Sequence, residues 1–166
     1  MAYYDDIGKG YNGLYGQEQF KKISIIKNNL KIGRNIKLLD VGCGTGISSD
    51  FESFVVGIDP SVNLLVQNNR LKILGAAEFL PFKDNSFDYV ISVTSIHNFK
   101  NITKSMNEIK RVGKGNFVFS ILKKSKKFGF VRNIIKKNFK IGKVIEEDKD
   151  AIFFCNLSSR NRKLYI

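Results

Sequence analysis

The chain has few of the residues that build cross-linked or metal-bound folds. Its 166 residues include two cysteines, one histidine, two prolines and no tryptophan. Cys43 and Cys155 lie far apart and neither has a CxxC neighbour, so a disulfide framework is excluded. A single histidine also argues against a structural zinc site. We therefore predict no metal, and we expect Cys155 to be a small buried residue.

Long apolar runs are lacking too. No run approaches the roughly 18 residues that a transmembrane helix requires. The first ten residues, MAYYDDIGKG, do not have the basic-then-apolar layout of a signal peptide. We therefore expect a cytoplasmic protein that does not associate with a membrane.

Acidic residues are scarce relative to basic ones, 15 against 28, which gives a net charge of +13. Such a balance favours anionic partners, above all nucleic acid. The abundance of lysine, isoleucine and asparagine is equally consistent with a generally lysine-rich surface. Charge alone leaves both interpretations open.

Apolar segments of two kinds alternate along the chain. Helical spacing or caps predict helices, and short apolar runs that stop at glycine or aspartate predict buried strands. The helices are expected over 17–30, 62–69 (capped by Ser61), 102–111 and about 126–138, and the strands over 36–41, 54–58, 72–76, 87–93 and 116–122, with a closing hairpin of 143–147 and 151–155. Residues 1–16 are interpreted as an irregular aromatic arm.

This alternation predicts an α/β fold with a doubly wound, mostly parallel sheet and a terminal antiparallel strand. We expect a single domain over 1–166. It divides into an arm and helix (1–35), a cofactor-binding core (36–122) and a basic C-terminal part (123–166).

A glycine turn follows the first strand in Leu38–Gly46, LLDVGCGTG. Its G-x-G-x-G spacing differs from the G-x-G-x-x-G of dinucleotide sites, which argues against an NAD-linked oxidoreductase. Asp40 at the strand end suits a ligand with positive charge. Asp59 ends the second strand, where a carboxylate can accept both ribose hydroxyls. The two features together predict a nucleoside-containing cofactor.

The segments LLDVGCGTG, VVGIDPS and GAAEFLPFKDNSFDYVISVTSIHNF follow one another in this order and spacing. They resemble the class I S-adenosylmethionine-dependent methyltransferases, in particular the small "methyltransferase type 11" group related to ubiquinone biosynthesis. The segment YYDDIGKGYNGLYGQEQ resembles the capping arm of that group. The resemblance covers roughly residues 3–122, and it implies a Rossmann-like fold, methyltransferase activity and S-adenosylmethionine as cofactor.

The resemblance also implies roles for individual residues. The methionine half of the cofactor would be lined by the glycine-turn residues Asp40, Gly42, Cys43, Gly44 and Gly46, and the ribose by Asp59, Pro60 and Ser61 at the end of strand two. The adenine would be flanked by Ala77 and Glu78, after strand three. The methyl group and the acceptor would face Thr94, Ser95 and His97, at the end of strand four. Tyr4 or Tyr11 would close over the cofactor.

The sequence departs from the family pattern at two places. Ala76 stands where the group usually has an aspartate that accepts from the adenine amino group, and Glu78 or a water is expected to take that role. Only Ile47–Ser53 joins the turn to strand two, so the first helix has two turns at most.

The acceptor chemistry is left open by the motifs. His97, as the one histidine, is either a base or orienting donor at the acceptor, or a residue that packs beside the site for shape. Cys43 would need a depressed pKa to act as a nucleophile, and we do not expect that role. Ser92–Ser95 replaces both the N-P-P-Y signature of exocyclic-amine enzymes and the Pro-Cys of cytosine-carbon enzymes.

The segment 121–140 carries eight basic residues and no acidic one, with three interleaved phenylalanines. One interpretation is an RNA-facing surface, with lysines for phosphates and an exposed aromatic ring for stacking. The other is a solvated helix whose Val131, Ile134 and Ile135 pack on the sheet.

Three functional hypotheses follow. The first is methyl transfer to tRNA or rRNA, the second is methyl transfer to a small molecule, and the third is a methyltransferase-like binding subunit of a heterodimer. Some compact RNA methyltransferases of this fold need a small activator that adds a strand to the sheet edge, and we keep such a partner as an alternative for this chain.

Overall fold

The computed structural model describes residues 11–157, without the side chains of Tyr11, Asn12, Leu14 and Tyr15. Within that range a seven-stranded sheet is flanked by four α-helices. The elements are α1 (Tyr11–Asn29), β1 (Lys37–Val41), β2 (Phe54–Asp59), α2 (Val62–Leu65), β3 (Lys72–Leu74), β4 (Phe87–Val93), α3 (Ile102–Val112), β5 (Gly113–Leu122), α4 (Phe128–Asn138), β6 (Phe139–Glu146) and β7 (Asp150–Leu157). Single 3₁₀ turns lie at Ile47–Ser49 and Ile96–Asn98.

The strand order is β3-β2-β1-β4-β5-β7-β6. The strands β1 to β5 pair in parallel, and β7 pairs antiparallel with both β5 and β6. The order reverses between β1 and β4, and in open α/β sheets ligands bind at such a switch point, outside the carboxyl ends of the strands. The predicted α/β fold with a terminal antiparallel strand is confirmed.

Two cores lie on opposite faces of the sheet. On one face α3 and α4 cover Leu39, Val56 and Phe119. The apolar positions of α3, namely Ile102, Met106, Ile109 and Val112, recur at three- and four-residue steps and are buried. On the other face, Ile23 and Ile26 of α1 cover Leu38, Ile91 and Val118.

Several element boundaries differ from the sequence-based prediction. The helix α1 begins at Tyr11, inside the segment that we expected to be irregular. Gly13 and Gly16 weaken helix propensity there, but Gly16 is buried in the helix beside Ile47, so tertiary packing outweighs the propensity. Residues 113–115, predicted as a turn, extend β5, because Gly113 pairs with Phe87 of β4.

The connections around β2 are shorter than expected. The link from the turn to β2 holds a single 3₁₀ turn, and α2 ends at Leu65 rather than at residue 69. The side chain of Asn68 is fully buried and reaches back to the glycine turn instead of continuing a helix. Among residues 11–157, no helix is both long and apolar enough to cross a membrane.

Candidate functional site

The glycine turn lies at the switch point of the sheet and has a conformation that requires glycine. Gly42, Gly44 and Gly46 have φ of 80°, 50° and 88°, a region in which residues with a Cβ are strained. A Cβ on Gly42 would lie 2.5 Å from that of Ser95, and one on Gly46 would lie 2.4 Å from Asn68 Oδ1. The turn is therefore packed against the end of β4 on one side and against Asn68 on the other.

Asp59, at the end of β2, is hydrogen-bonded to the backbone of the glycine turn. Its Oδ2 accepts from the Gly44 backbone N–H at 3.0 Å, and its Oδ1 accepts from the Ser61 N–H at 2.8 Å. The carboxylate is 7% exposed. Ser61 in turn accepts from the N–H of Leu64 and caps α2, while Pro60 is exposed. The sequence prediction that Asp59 ends β2 beside the turn is thus matched by the geometry.

Asp40 supplies a second, fully buried carboxylate to the same turn. Its Oδ2 accepts from the hydroxyls of Ser48 and Ser49 at 2.6 and 2.7 Å, whereas its Oδ1 is buried without a hydrogen-bond partner among the described residues. Burial raises the pKa of this carboxyl to about 6, and the nearby charge of Asp59 adds to the shift. A buried acceptor with spare capacity fits a ligand that brings positive charge, as the ammonium and sulfonium of S-adenosylmethionine would.

We expect Asp40→Asn to stabilise the free protein at pH 7.5 and to weaken cofactor binding. Because the pKa rises from 3.8 to about 6 on folding, ionised Asp40 lowers the free energy of unfolding by up to about 3 kcal/mol, and this loss develops as the pH rises from about 4 to 6. The measurement is urea unfolding of both proteins at pH 4 and pH 7.5.

The matched control is Asp88→Asn, because the ammonium of Lys114 lowers the pKa of that carboxyl, which should make the sign of the effect opposite. Equal stability differences between wild type and Asp40→Asn at both pH values would contradict the assignment.

Cys43 lies inside the turn and is buried. Burial and the two neighbouring carboxylates raise the pKa of its thiol well above the usual range, so the thiolate that a nucleophile requires is disfavoured. The side chain instead packs on Gly57 of β2, where an added Cβ would lie 2.6 Å from its sulfur. Cys155 is buried as expected.

Neighbouring side chains at the end of β4 have partners on different sides of the sheet end. Ser95 Oγ donates to the Val41 carbonyl at 3.0 Å, beside the glycine turn. Thr94 Oγ1 bonds instead to Lys22 of α1, Ser120 of β5 and Asp150 of β7. The predicted cofactor residue Thr94 is therefore held by partners outside the glycine turn.

His97 is half-buried in the 3₁₀ turn that follows β4. Its Nδ1 is buried without a partner among the described residues, and its carbonyl accepts from Lys127 Nζ at 2.8 Å. Desolvation by burial lowers the pKa of the imidazole below its usual value, so the neutral form prevails at pH 7. A neutral imidazole with an unused nitrogen can accept a proton or orient an acceptor group.

The segment predicted to flank adenine is only partly available for that role. Ala77 is buried and Ala76 is half-buried. Glu78 is also buried, but its Oε1 accepts from the Asn101 N–H at 2.9 Å, at the N-terminus of α3. Glu78 thus contributes to the start of a helix. Tyr4 lies outside the described residues, as does the side chain of Tyr11.

The basic segment is divided by the topology of the fold. All eight basic side chains of 121–140 are exposed, while Val131, Ile134, Ile135 and Phe139 are buried, so the helix packs on the sheet as the second interpretation expected. Because α4 runs from the carboxyl end of β5 back to the start of β6, four of these charges flank the site: Lys123, Lys124, Lys126 and Lys127. Lys136, Lys137 and Lys140 lie toward the opposite end of the sheet, and Arg132 lies midway along α4.

Sequence reasoning missed the polar residues that support these side chains. Ser92 donates to the Val41 carbonyl, and Asn68 donates to the Gly44 carbonyl. Lys22 and Asp150 bond to the Thr94 hydroxyl, and Glu18 pairs with Lys22. One available signal was Lys22 itself. It shares a helical face with the apolar Ile23 and Ile26, and a lysine on such a face requires a buried partner.

Comparison with known proteins places this site in a family context. Residues 39–120 match the model of a methyltransferase domain, which begins on β1 and ends on β5. An uncharacterized protein of Methanocaldococcus jannaschii is 35% identical over 127 residues, which cover 72% of this chain and 50% of that protein. The demethylmenaquinone methyltransferase of Staphylococcus aureus is 30% identical over 131 residues, covering 66% of this chain and 53% of that enzyme. The chain thus spans about half the length of the curated relatives it matches.

Solved structures share the fold over almost the whole chain. A Haloferax volcanii methyltransferase in complex with the Trm112 methyltransferase activator superposes with a TM-score of 0.78 at 13% identity, over 93% of this chain and 97% of that one. Other structures with this fold are described as S-adenosylmethionine-dependent methyltransferases. At such identities the superpositions establish the fold alone.

Proposed function

We propose that this chain, which carries a class I S-adenosylmethionine-dependent methyltransferase domain, transfers a methyl group from S-adenosylmethionine to a negatively charged small molecule at the carboxyl ends of β4 and β5. The observation that carries the proposal is the glycine turn, with the buried Asp40 on β1 and Asp59 bridging Gly44 and Ser61. These groups provide two carboxylates and three glycines at which a ligand can approach the backbone.

Each residue group would make a distinct contribution. The cofactor supplies a methyl group on a sulfur that is already an activated leaving group. Asp40 and the glycine turn would hold its charged methionine part, and Asp59 would hold its ribose hydroxyls. Ser95 fixes the end of β4 against Gly42. His97 would orient the acceptor and take its proton where the acceptor has one to lose. Alignment of this kind contributes up to about 7–11 kcal/mol in model reactions.

The acceptor class is inferred from the lysines beside the site and from the relatives. Lys123, Lys124, Lys126 and Lys127 surround the exit of β5, and Lys127 also contacts the carbonyl of His97. Curated relatives include enzymes named for menaquinone and sterol substrates, which favours a small molecule. The RNA hypothesis depends on the net charge and the basic segment, and Lys136, Lys137 and Lys140 of that segment lie away from the site.

A partner subunit remains the second candidate, and one surface favours it. Among residues 11–157, β3 is an edge strand of the sheet, and exposed apolar side chains lie on β3 and on the segments next to it: Phe54, Val62, Val66, Leu71 and Leu74. Apolar residues beside an unpaired strand suit a protein that adds a strand to the sheet. The Haloferax methyltransferase described above is in complex with an activator. An activator bound at the β3 edge of this chain would cover the exposed apolar side chains.

The test is calorimetric titration of the purified chain with S-adenosylmethionine, with NAD as the control ligand. We expect binding of the first and none of the second. A folded chain that binds neither at millimolar ligand would contradict the proposal and would favour the binding-subunit alternative. Radiolabelled methyl transfer is then compared between total RNA and a small-molecule extract. Label in RNA, with transfer that falls steeply with salt, would overturn the small-molecule assignment.

A further inference from the structure

A buried ionic cluster connects α1 to the acceptor end of the sheet. Lys22 and Asp150 are both 0% exposed, and their Nζ and Oδ1 atoms lie 3.0 Å apart. Lys22 also donates to Glu18 Oε1 at 2.7 Å and to Thr94 Oγ1 at 3.0 Å. Lysine is almost never fully buried in proteins, and a buried ion pair is seldom a better stabiliser than apolar residues of similar size. The presence of a buried ion pair at this position therefore indicates a role other than stability.

The cluster holds Thr94 in an unusual backbone conformation. Thr94 has φ of +54°, which is rare for a β-branched residue. Such strained residues persist only where the surroundings over-determine them, and they concentrate at functional sites. Three groups from three elements hold the Thr94 hydroxyl, namely Lys22 of α1, Ser120 of β5 and Asp150 of β7. Its N–H also donates to the Ser120 carbonyl at 3.1 Å.

The left-handed turn at Thr94 determines where the chain goes next. It places Ser95 beside Gly42 of the glycine turn, and it begins the 3₁₀ turn that carries His97. The charged groups that act on the imidazole come from three directions: Asp150 of β7, Lys127 before α4, and Lys22 of α1. The buried pair is thus connected to His97 both through the backbone and through its electric field.

We propose that Lys22 and Asp150 are positioning residues for methyl transfer: their buried ion pair fixes the left-handed turn at Thr94, and that turn places His97 at the acceptor. The inference rests on the proposed function, since it assigns a role to the acceptor side of the same site. It adds α1 and β7 to the elements that build this side, whereas the cofactor side is built by β1, β2 and their loops.

His97 is the one histidine of the chain, so its imidazole signals report directly how each variant changes the pKa of this residue. The imidazole signals of His97 are followed by NMR as the pH is varied in wild type, Asp150→Asn, Lys22→Met and Lys21→Met. Lys21 is the matched control, because it is the neighbour of Lys22 on α1 and its exposed ammonium pairs with Asp148 and Glu147 rather than with Asp150. We expect the pKa of His97 to fall by about half a pH unit or more in Asp150→Asn and to rise in Lys22→Met. Lys21→Met should leave it unchanged.

This pattern separates positioning from loss of structure. Unfolding would move the His97 pKa up toward its ordinary value in every variant, whereas Asp150→Asn is expected to move it down. Methyl transfer to the extract should fall at least about tenfold in Asp150→Asn while the Kd for S-adenosylmethionine stays within about twofold. If Asp150→Asn matches Lys21→Met in both His97 titration and transfer, the inference is overturned. Failure of wild type to bind S-adenosylmethionine would instead contradict the proposed function.

Discussion

Replacing Asp59 with alanine is expected to lower the affinity for S-adenosylmethionine at least about 100-fold, which corresponds to about 2.7 kcal/mol. The carboxylate accepts the N–H groups of Gly44 and Ser61 at 3.0 and 2.8 Å. Hydrogen bonds to a charged group contribute about 1.5–3 kcal/mol each, so alanine would release both the turn and the start of α2. It would also remove the acceptor that we assign to the ribose hydroxyls. Calorimetric titration of wild type and variant measures the change.

Two further variants sharpen this test. Asp59→Asn keeps the shape and one acceptor oxygen, so its loss of affinity should be intermediate. Asp50→Ala removes an acidic residue that pairs with Lys27 and Arg70 at the surface, and it should bind the cofactor as wild type does. Wild-type affinity in Asp59→Ala would show that the ribose is held elsewhere and would remove the main support for the site.

The second large effect is expected for stability, at the buried pair of Lys22 and Asp150. Lys22→Met should lower the free energy of unfolding by about 3–5 kcal/mol, because it leaves the charge of Asp150 buried without its partner. Asp150→Asn should cost less, since Glu18 still pairs with Lys22. The double variant should lose less than the sum of the two single losses, because neither charge is then left uncompensated. Urea unfolding of the four proteins gives these values.

The neighbouring residue again provides the control. Lys21→Met removes a charge from the same helix, but that ammonium is 55% exposed, and it pairs with the exposed Asp148 and with the buried Glu147. Ion pairs of a solvent-exposed ammonium contribute little. We expect its unfolding curve to overlay that of wild type. Strictly additive losses at Lys22 and Asp150, or a loss at Lys22 no larger than at Lys21, would show that the pair is not energetically coupled.

Local patterns determined the parts of this protein whose physical causes are local. A continuous apolar run such as that of β1, ending at Asp40 and glycines, indicates a buried parallel strand and the turn after it. The G-x-G-x-G spacing and Asp59 thirteen residues beyond Gly46 predicted the cofactor half of the site, and the structure brings them together. The helix α3 was predicted almost to its ends, because its apolar positions are regularly spaced, and the structure shows that Asn101 caps it.

Only the tertiary structure decided the acceptor half. Asp150 is 128 residues from Lys22, and in the sequence it is indistinguishable from the other acidic residues of the β6–β7 turn. It becomes a buried partner because β7 inserts antiparallel beside β5 and starts where β4 and β5 end. Glu78, expected near adenine, meets the N-terminus of α3 for the same reason: long-range packing selects its partner. Side-chain burial and charge pairing between distant segments depend on which strands become neighbours, and local residue patterns do not contain that information.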